Sequence, residues 1–144
     1  MIPGTEIFEE DFEEDLDSDV EFDFEQEPSL TYAMNADKGI FVGKVDGIEA
    51  IKQSVLKTIN TERYEFEIYS WNYGIELQDL YGKDLPYVMS EVKQRIIDAL
   101  LVDDRIESVG SFEVEQIKQG KLHIQFTVTT AQQDDFTVES EVDI

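Results

Sequence analysis

The chain has 144 residues, with 34 Asp and Glu against 11 Lys and Arg, one His and no Cys, for a formal charge of −23. That length suits roughly one domain, and the absence of cysteine excludes disulfides and thiolate metal sites. The charge argues against a nucleic-acid partner, because phosphate contacts rely on Lys and Arg. No run is apolar over the ~18 residues a membrane span needs, and the acidic start lacks the basic region of a signal peptide.

Residues 1–28 hold 13 of the acids and no base, leaving 21 acids against 11 bases in the other 116 residues. Repulsion between these charges predicts that 1–28 is an extension that does not fold alone. The interleaved Phe8, Phe12, Phe22 and Phe24 suit a segment that orders on a partner's groove. Asp15, Asp17 and Asp19 fall in an EF-hand rhythm, but the required Gly is Val20 and the bidentate Glu is Gln26, so no calcium loop is expected.

Leu30 to Met34 and Gly39 to Val45 read as two short strands around the turn Asn35-Ala36-Asp37-Lys38. A helix opens at Asp46 or Gly47, with Ile48, Ile51, Val55, Leu56 and Ile59 as its buried stripe, and ends near Asn60-Thr61. Tyr64 to Ser70 alternates and predicts a short extended run. The aromatics Tyr64, Phe66, Tyr69, Trp71, Tyr73 and Tyr81 are expected to pack between helices, with a partner-binding surface as the alternative. Gly74 and Gly82 bracket one or two helical turns.

A second helix begins at Asp84 or Leu85, since Pro86 is tolerated only in a first turn. Its stripe is Val88, Met89, Val92, Ile96, Leu100 and Leu101. The polar joint Asp103-Asp104-Arg105 then leads into alternation at Ile106, Phe112 and Val114. Leu122, Ile124, Phe126 and Val128 alternate after the turn at Gly120, and Phe136, Val138 and Val142 make a last strand. The fold class is α+β: two main helices on a small antiparallel sheet ending in a three-strand meander. Residues 29–144 are expected to form one domain.

Little points to catalysis. His123, the lone histidine, lies on the polar face of a strand, so neither a triad nor a zinc site has the residues it needs. An acid–base carboxylate pair would need one member in an apolar pocket, and the sequence singles out none. No enzyme activity and no cofactor are expected. Arg105 is the conspicuous polar residue, because an arginine at a helix–strand joint commonly makes a bidentate carboxylate pair. Glu62 and Arg63 occupy the corresponding end of the first helix.

In order along the chain come Ile51-Lys52-Gln53-Ser54-Val55, Thr61-Glu62-Arg63, Tyr73-Gly74 with Leu77 and Leu80, and Arg105-Ile106 before a meander. This set, spanning about residues 30–142, resembles the baseplate wedge, or sheath-initiator, family of contractile tails, including its XkdS-like members. The family's Glu-Pro-Arg-Ile joint is Asp103-Asp104-Arg105-Ile106 here, which keeps a carboxylate two residues before the arginine and loses the proline. The resemblance implies a structural protein of the inner baseplate, made in the host bacterial cytoplasm and present in several symmetry-related copies around the central tube. Its implied partners are other wedge proteins, the tube or hub proteins and the sheath protein, whose strands would add to the sheet edge near Val138 and Val142. It also implies a wedge contact at Asp103, Asp104 and Arg105, with the acidic extension on a basic groove of a neighbour. Two other classes compete: a peptidoglycan-degrading baseplate lysozyme and an acidic inhibitor that mimics DNA.

Overall fold

Two amphipathic helices and one alternating meander meet at a single core in the computed structural model, which describes residues 29–35 and 37–144. A hairpin of β1 (Thr31–Asn35) and β2 (Ile40–Val45) comes first, followed by α1 (Gly47–Ile59), a 3-10 turn (Gln78–Leu80) and α2 (Leu85–Leu100). The chain ends in β3 (Ile106–Lys118), β4 (Lys121–Thr130) and β5 (Asp135–Asp143). The fold is α+β with two antiparallel sheets, one of β1-β2 and one of order β3-β4-β5.

The core lies between the helices and one face of the larger sheet. Period-2 alternation in β4 sends Leu122, Ile124, Phe126, Val128 and Thr130 inward, and register pairs the first four with Val142, Ser140, Val138 and Phe136 of β5. Val55 and Ile59 of α1 and Val88, Val92, Ile96, Ala99 and Leu100 of α2 close this layer from above. Burying each of the Val, Leu and Ile side chains among these contributes about 1.5–3 kcal/mol. Phe112 of β3 stacks on Phe126 at 5.4 Å between ring centroids.

The edges of the large sheet differ. β5 pairs with β4 without a register break from Asp143 to Asp135. β3 shifts register three times, between Ile106 and Ser108, Gly110 and Glu113, and Gln116 and Lys118. Ser111, inside the second shift, takes φ of 53°. Bulges of this kind twist and blunt an edge, whereas an unbroken ladder leaves it straight.

Several expectations need correction. Tyr64 to Ser70 is not extended: it is a succession of turns, with Tyr64 at φ 68° and Tyr69 N–H donating to the Phe66 carbonyl at 3.3 Å. Its aromatics do not pack between the helices, since Tyr64, Phe66, Trp71 and Tyr81 are exposed. Alternation there does not mark a buried face, since Tyr64 to Ile68 are all exposed. Leu56 and Leu101 leave the predicted stripes and are exposed. Thr58 is buried instead in α1, its hydroxyl donating to the Ser54 carbonyl at 2.9 Å, and α2 ends at Leu100 before Leu101 can turn inward. Gln53 of α1 holds the hairpin: its amide accepts from Met34 N–H and donates to the Tyr32 carbonyl, each at 2.8 Å.

Candidate functional site

The helix–strand joint is built on one short-range clamp. Asp103 accepts from Arg105 three times: from its backbone N–H at 3.0 Å, from Nε at 2.9 Å and from Nη2 at 2.6 Å. Ser54 Oγ on α1 reaches the same carboxylate at 3.5 Å, so the clamp also touches the first helix. Backbone bonds lock the joint into the sheet, with Ile106 N–H on the Asp103 carbonyl at 3.1 Å and Ala131 N–H on the Arg105 carbonyl at 2.9 Å. Burial alone would push the Asp103 carboxyl up, but the hydrogen bonds and charge of Arg105 outweigh it and hold the carboxyl below its ordinary value. Asp104, by contrast, points to solvent.

These three residues form one wall of a cleft of about 1040 Å³. Its other walls come from the hairpin (Leu30, Tyr32, Met34, Phe41), from α1 (Gln53, Ser54, Lys57) and from Tyr73. Lys57 Nζ lies 4.9 Å from the Tyr69 ring centroid and 5.7 Å from that of Tyr73, which stack on each other at 4.4 Å. The hairpin side of the cleft leaves Leu30, Tyr32 and Phe41 exposed.

Glu62 and Arg63 lie elsewhere, and their work is to close a loop. The Glu62 carboxylate accepts from Leu77 N–H at 3.0 Å and Gln78 N–H at 3.2 Å, satisfying the start of the 3-10 turn as a cap does. Arg63 Nη2 donates to the Gly74 carbonyl at 3.1 Å. A parallel bridge between Glu62 and Ile75 completes the neck. Gly74 has φ of 93°, and a Cβ there would sit 2.6 Å from the Thr61 carbonyl oxygen, so this approach requires glycine. Both acid and base line a shallower recess of about 470 Å³ with Glu65, Glu76 and Asp79.

Val138 and Val142, the sheet-edge candidates, turn their side chains into the core, at 5% and 7% exposure. What faces outward at that edge is the β5 backbone, with Thr137, Glu139, Glu141 and Asp143 on the opposite face from the core. Lys121 crosses to this acidic row, its Nζ 2.9 Å from a Glu141 oxygen, which holds the Glu141 carboxyl below its ordinary value. Phe8, Phe12, Phe22 and Phe24 lie outside the described residues.

Arg95 was not singled out in the sequence. From α2 its guanidinium holds both oxygens of Asp79 and, at 2.8 Å, the Glu76 carbonyl, which ties the segment after the loop to the second helix. A Glu91 oxygen four residues back lies 3.6 Å from it, but the partners it hydrogen-bonds sit 16 and 19 residues away on a segment without periodicity.

The chain can be set beside known proteins. The profile of the contractile injection system sheath initiator family matches residues 18–133, which takes in Phe22 and Phe24 and stops before β5. The phage-like element PBSX protein XkdS of Bacillus subtilis (strain 168) is 40% identical over 120 residues, 80% of this chain and 82% of the relative. Among solved structures, a Geobacter sulfurreducens protein whose crystal structure bears the name of a tail lysozyme matches 67% of this chain and 89% of its own, with TM-score 0.56 at 18% identity. A chain in the cryo-EM structure of the anti-feeding prophage baseplate matches 69% of this chain and 82% of its own, with TM-score 0.51 at 22% identity. At those identities the two structures speak for the fold. With its profile matched over residues 18–133, the chain belongs to the contractile injection system sheath initiator family.

Proposed function

We propose that this protein is a non-catalytic component of a contractile tail baseplate that joins wedge proteins to the first ring of sheath. The observation carrying this reading is the β5 edge: a nine-residue strand in unbroken register with β4, unpaired on its other side among the described residues. Such an edge accepts an extended segment of another chain, with main-chain bonds giving affinity and alternate side chains giving specificity. Its acidic outer row suits an incoming strand that carries Lys or Arg at alternate positions. Membership of the sheath-initiator family and likeness to a baseplate chain support the same reading.

In this reading Asp103 and Arg105 set the joint that presents the sheet, and exposed Asp104 and the cleft meet a wedge neighbour. The acidic extension docks on a basic groove, and several copies surround the tube. The name of the Geobacter neighbour raises the lysozyme alternative. Against it, the described carboxylates with resolved shifts, Asp79, Asp103 and Glu141, all move downward, the opposite of what a general acid needs.

Co-expression with the products of the neighbouring tail genes, followed by size exclusion of full-length chain and residues 29–144, tests the assembly role. A stable complex with sheath or wedge protein is expected, weakened by the truncation. A chain that stays alone with every tail protein would sink the assignment.

A further inference from the structure

The loop between α1 and the 3-10 turn spends exposed apolar surface that the fold does not use. Ile68 is 85% exposed and Trp71 82%, with Tyr64 at 65% and Phe66 at 49%. Scattered single hydrophobics need no explanation, but here four large ones are exposed on one short loop, two of them, Tyr64 and Trp71, in edge-to-face contact, and a concentration of this kind marks an interaction site. The loop is also held in shape. Glu62, Arg63 and Gly74 close its neck, Tyr73 N–H donates to the Ser70 carbonyl at 3.0 Å, and Trp71 meets Tyr64 edge-to-face at 6.5 Å. Tyr64 keeps a left-handed φ of 68°, a strained conformation for a bulky residue that the surrounding bonds must impose. A rigid aromatic tip loses little entropy on docking, which is why Trp and Tyr dominate binding hot spots.

Charge indicates what the tip fits. The recess beside it is lined by Glu62, Glu65, Glu76 and Asp79, with Arg63 turned onto the Gly74 carbonyl and Arg95 onto Asp79. We propose that the Tyr64–Trp71 tip is a docking knob that enters an apolar pocket on another protein, where a Lys or Arg on the pocket's rim falls into the acidic recess. A second copy is a poor occupant, since a chain of charge −23 would bring like charge to that recess. This surface is separate from the β5 edge and adds a second contact to the baseplate reading.

Trp71 is the sole tryptophan of this chain, so emission, once a titration of the Trp71→Phe chain has subtracted the other protein's own tryptophans, reports on the knob. The full-length chain is titrated with each purified tail protein encoded beside it, reading emission maximum and acrylamide quenching. One protein is expected to shift Trp71 to shorter wavelength and shield it from quencher. Ile68→Asp, at a site exposed enough to leave folding intact by circular dichroism, should raise Kd by roughly 30-fold or more. Glu65→Lys should also weaken binding, and its effect should shrink as salt rises. If no protein shields Trp71, or a complex forms with Trp71 as open as in the free chain, the knob is refuted, while the sheet-edge reading keeps its own test. Shielding that grows with the chain's own concentration would overturn the choice of a different partner. Binding that ignores both Glu65→Lys and salt would overturn the basic rim.

Discussion

Three hydrogen bonds from one arginine to one carboxylate set the joint between α2 and the sheet. Both side chains are about one-fifth exposed, so the pair is screened only in part. Charge-assisted bonds of this sort contribute roughly 1.5–3 kcal/mol, and Arg105→Ala should lower unfolding stability in urea by about 1–3 kcal/mol while the chain still folds at neutral pH. Hydrogen bonds and charge from Arg105 hold the Asp103 carboxyl below its ordinary value, so its stabilisation is complete above that ordinary value and disappears as pH falls through the folded one. Urea midpoints of the native chain and Asp103→Ala should therefore differ at pH 7 and converge near pH 2; a gap that persists in acid would show that the ion pair is not its cause. Gly74→Ala meets the Thr61 carbonyl at 2.6 Å and should cost more than the ~1 kcal/mol of an ordinary Gly–Ala conformational difference. That Arg105 takes a carboxylate was legible from its place at the joint; that the carboxylate is Asp103 of the same chain was not. The hydrogen bonds of Glu62 to Leu77 and Gln78 were not, because they cross a loop whose path no periodicity dictates.

At the scale of elements, periodicity located both helices and the meander, since burial on one face leaves a 3.6 or 2.0 rhythm in the sequence. It failed where alternation had another origin, in the Tyr64–Ser70 loop, and at the margins of stripes, where Leu56 and Leu101 are apolar but face water. The core should respond as a packed one: Phe126→Ala removes the ring stacked on Phe112 and should cost about 3–5 kcal/mol in a denaturation curve. The β1-β2 hairpin is a different case. A lone two-stranded hairpin is at best marginally stable, and the Gln53 side chain bonds its backbone in both directions. Gln53→Ala should speed amide exchange across Thr31–Val45 by about tenfold and leave the exchange of β4 unchanged. Equal acceleration in both sheets would mean that the hairpin and the core open together.

For the whole molecule, charge and edges matter more than any single site. A chain of −23 repels its own copies and attracts basic surfaces, so its association rates should fall steeply with ionic strength. In the proposed reading, the blunted β3 edge and the straight β5 edge would direct strand addition to one side of the sheet, and the acidic row along β5 would oppose pairing with another copy. The meander was legible in sequence, and an edge near Val138 and Val142 was expected to take added strands; the bulges that break the β3 register were not foreseen, because nothing in its residue pattern marks them. Hydrogen–deuterium exchange over Asp135–Asp143, for the full-length chain alone and bound to its sheath protein, tests the central claim. Alternate β5 amides that exchange freely in the isolated chain should become protected in the complex, while β3 amides keep their rates. A stable complex in which β5 exchanges as fast as in the free chain would contradict strand addition at this edge.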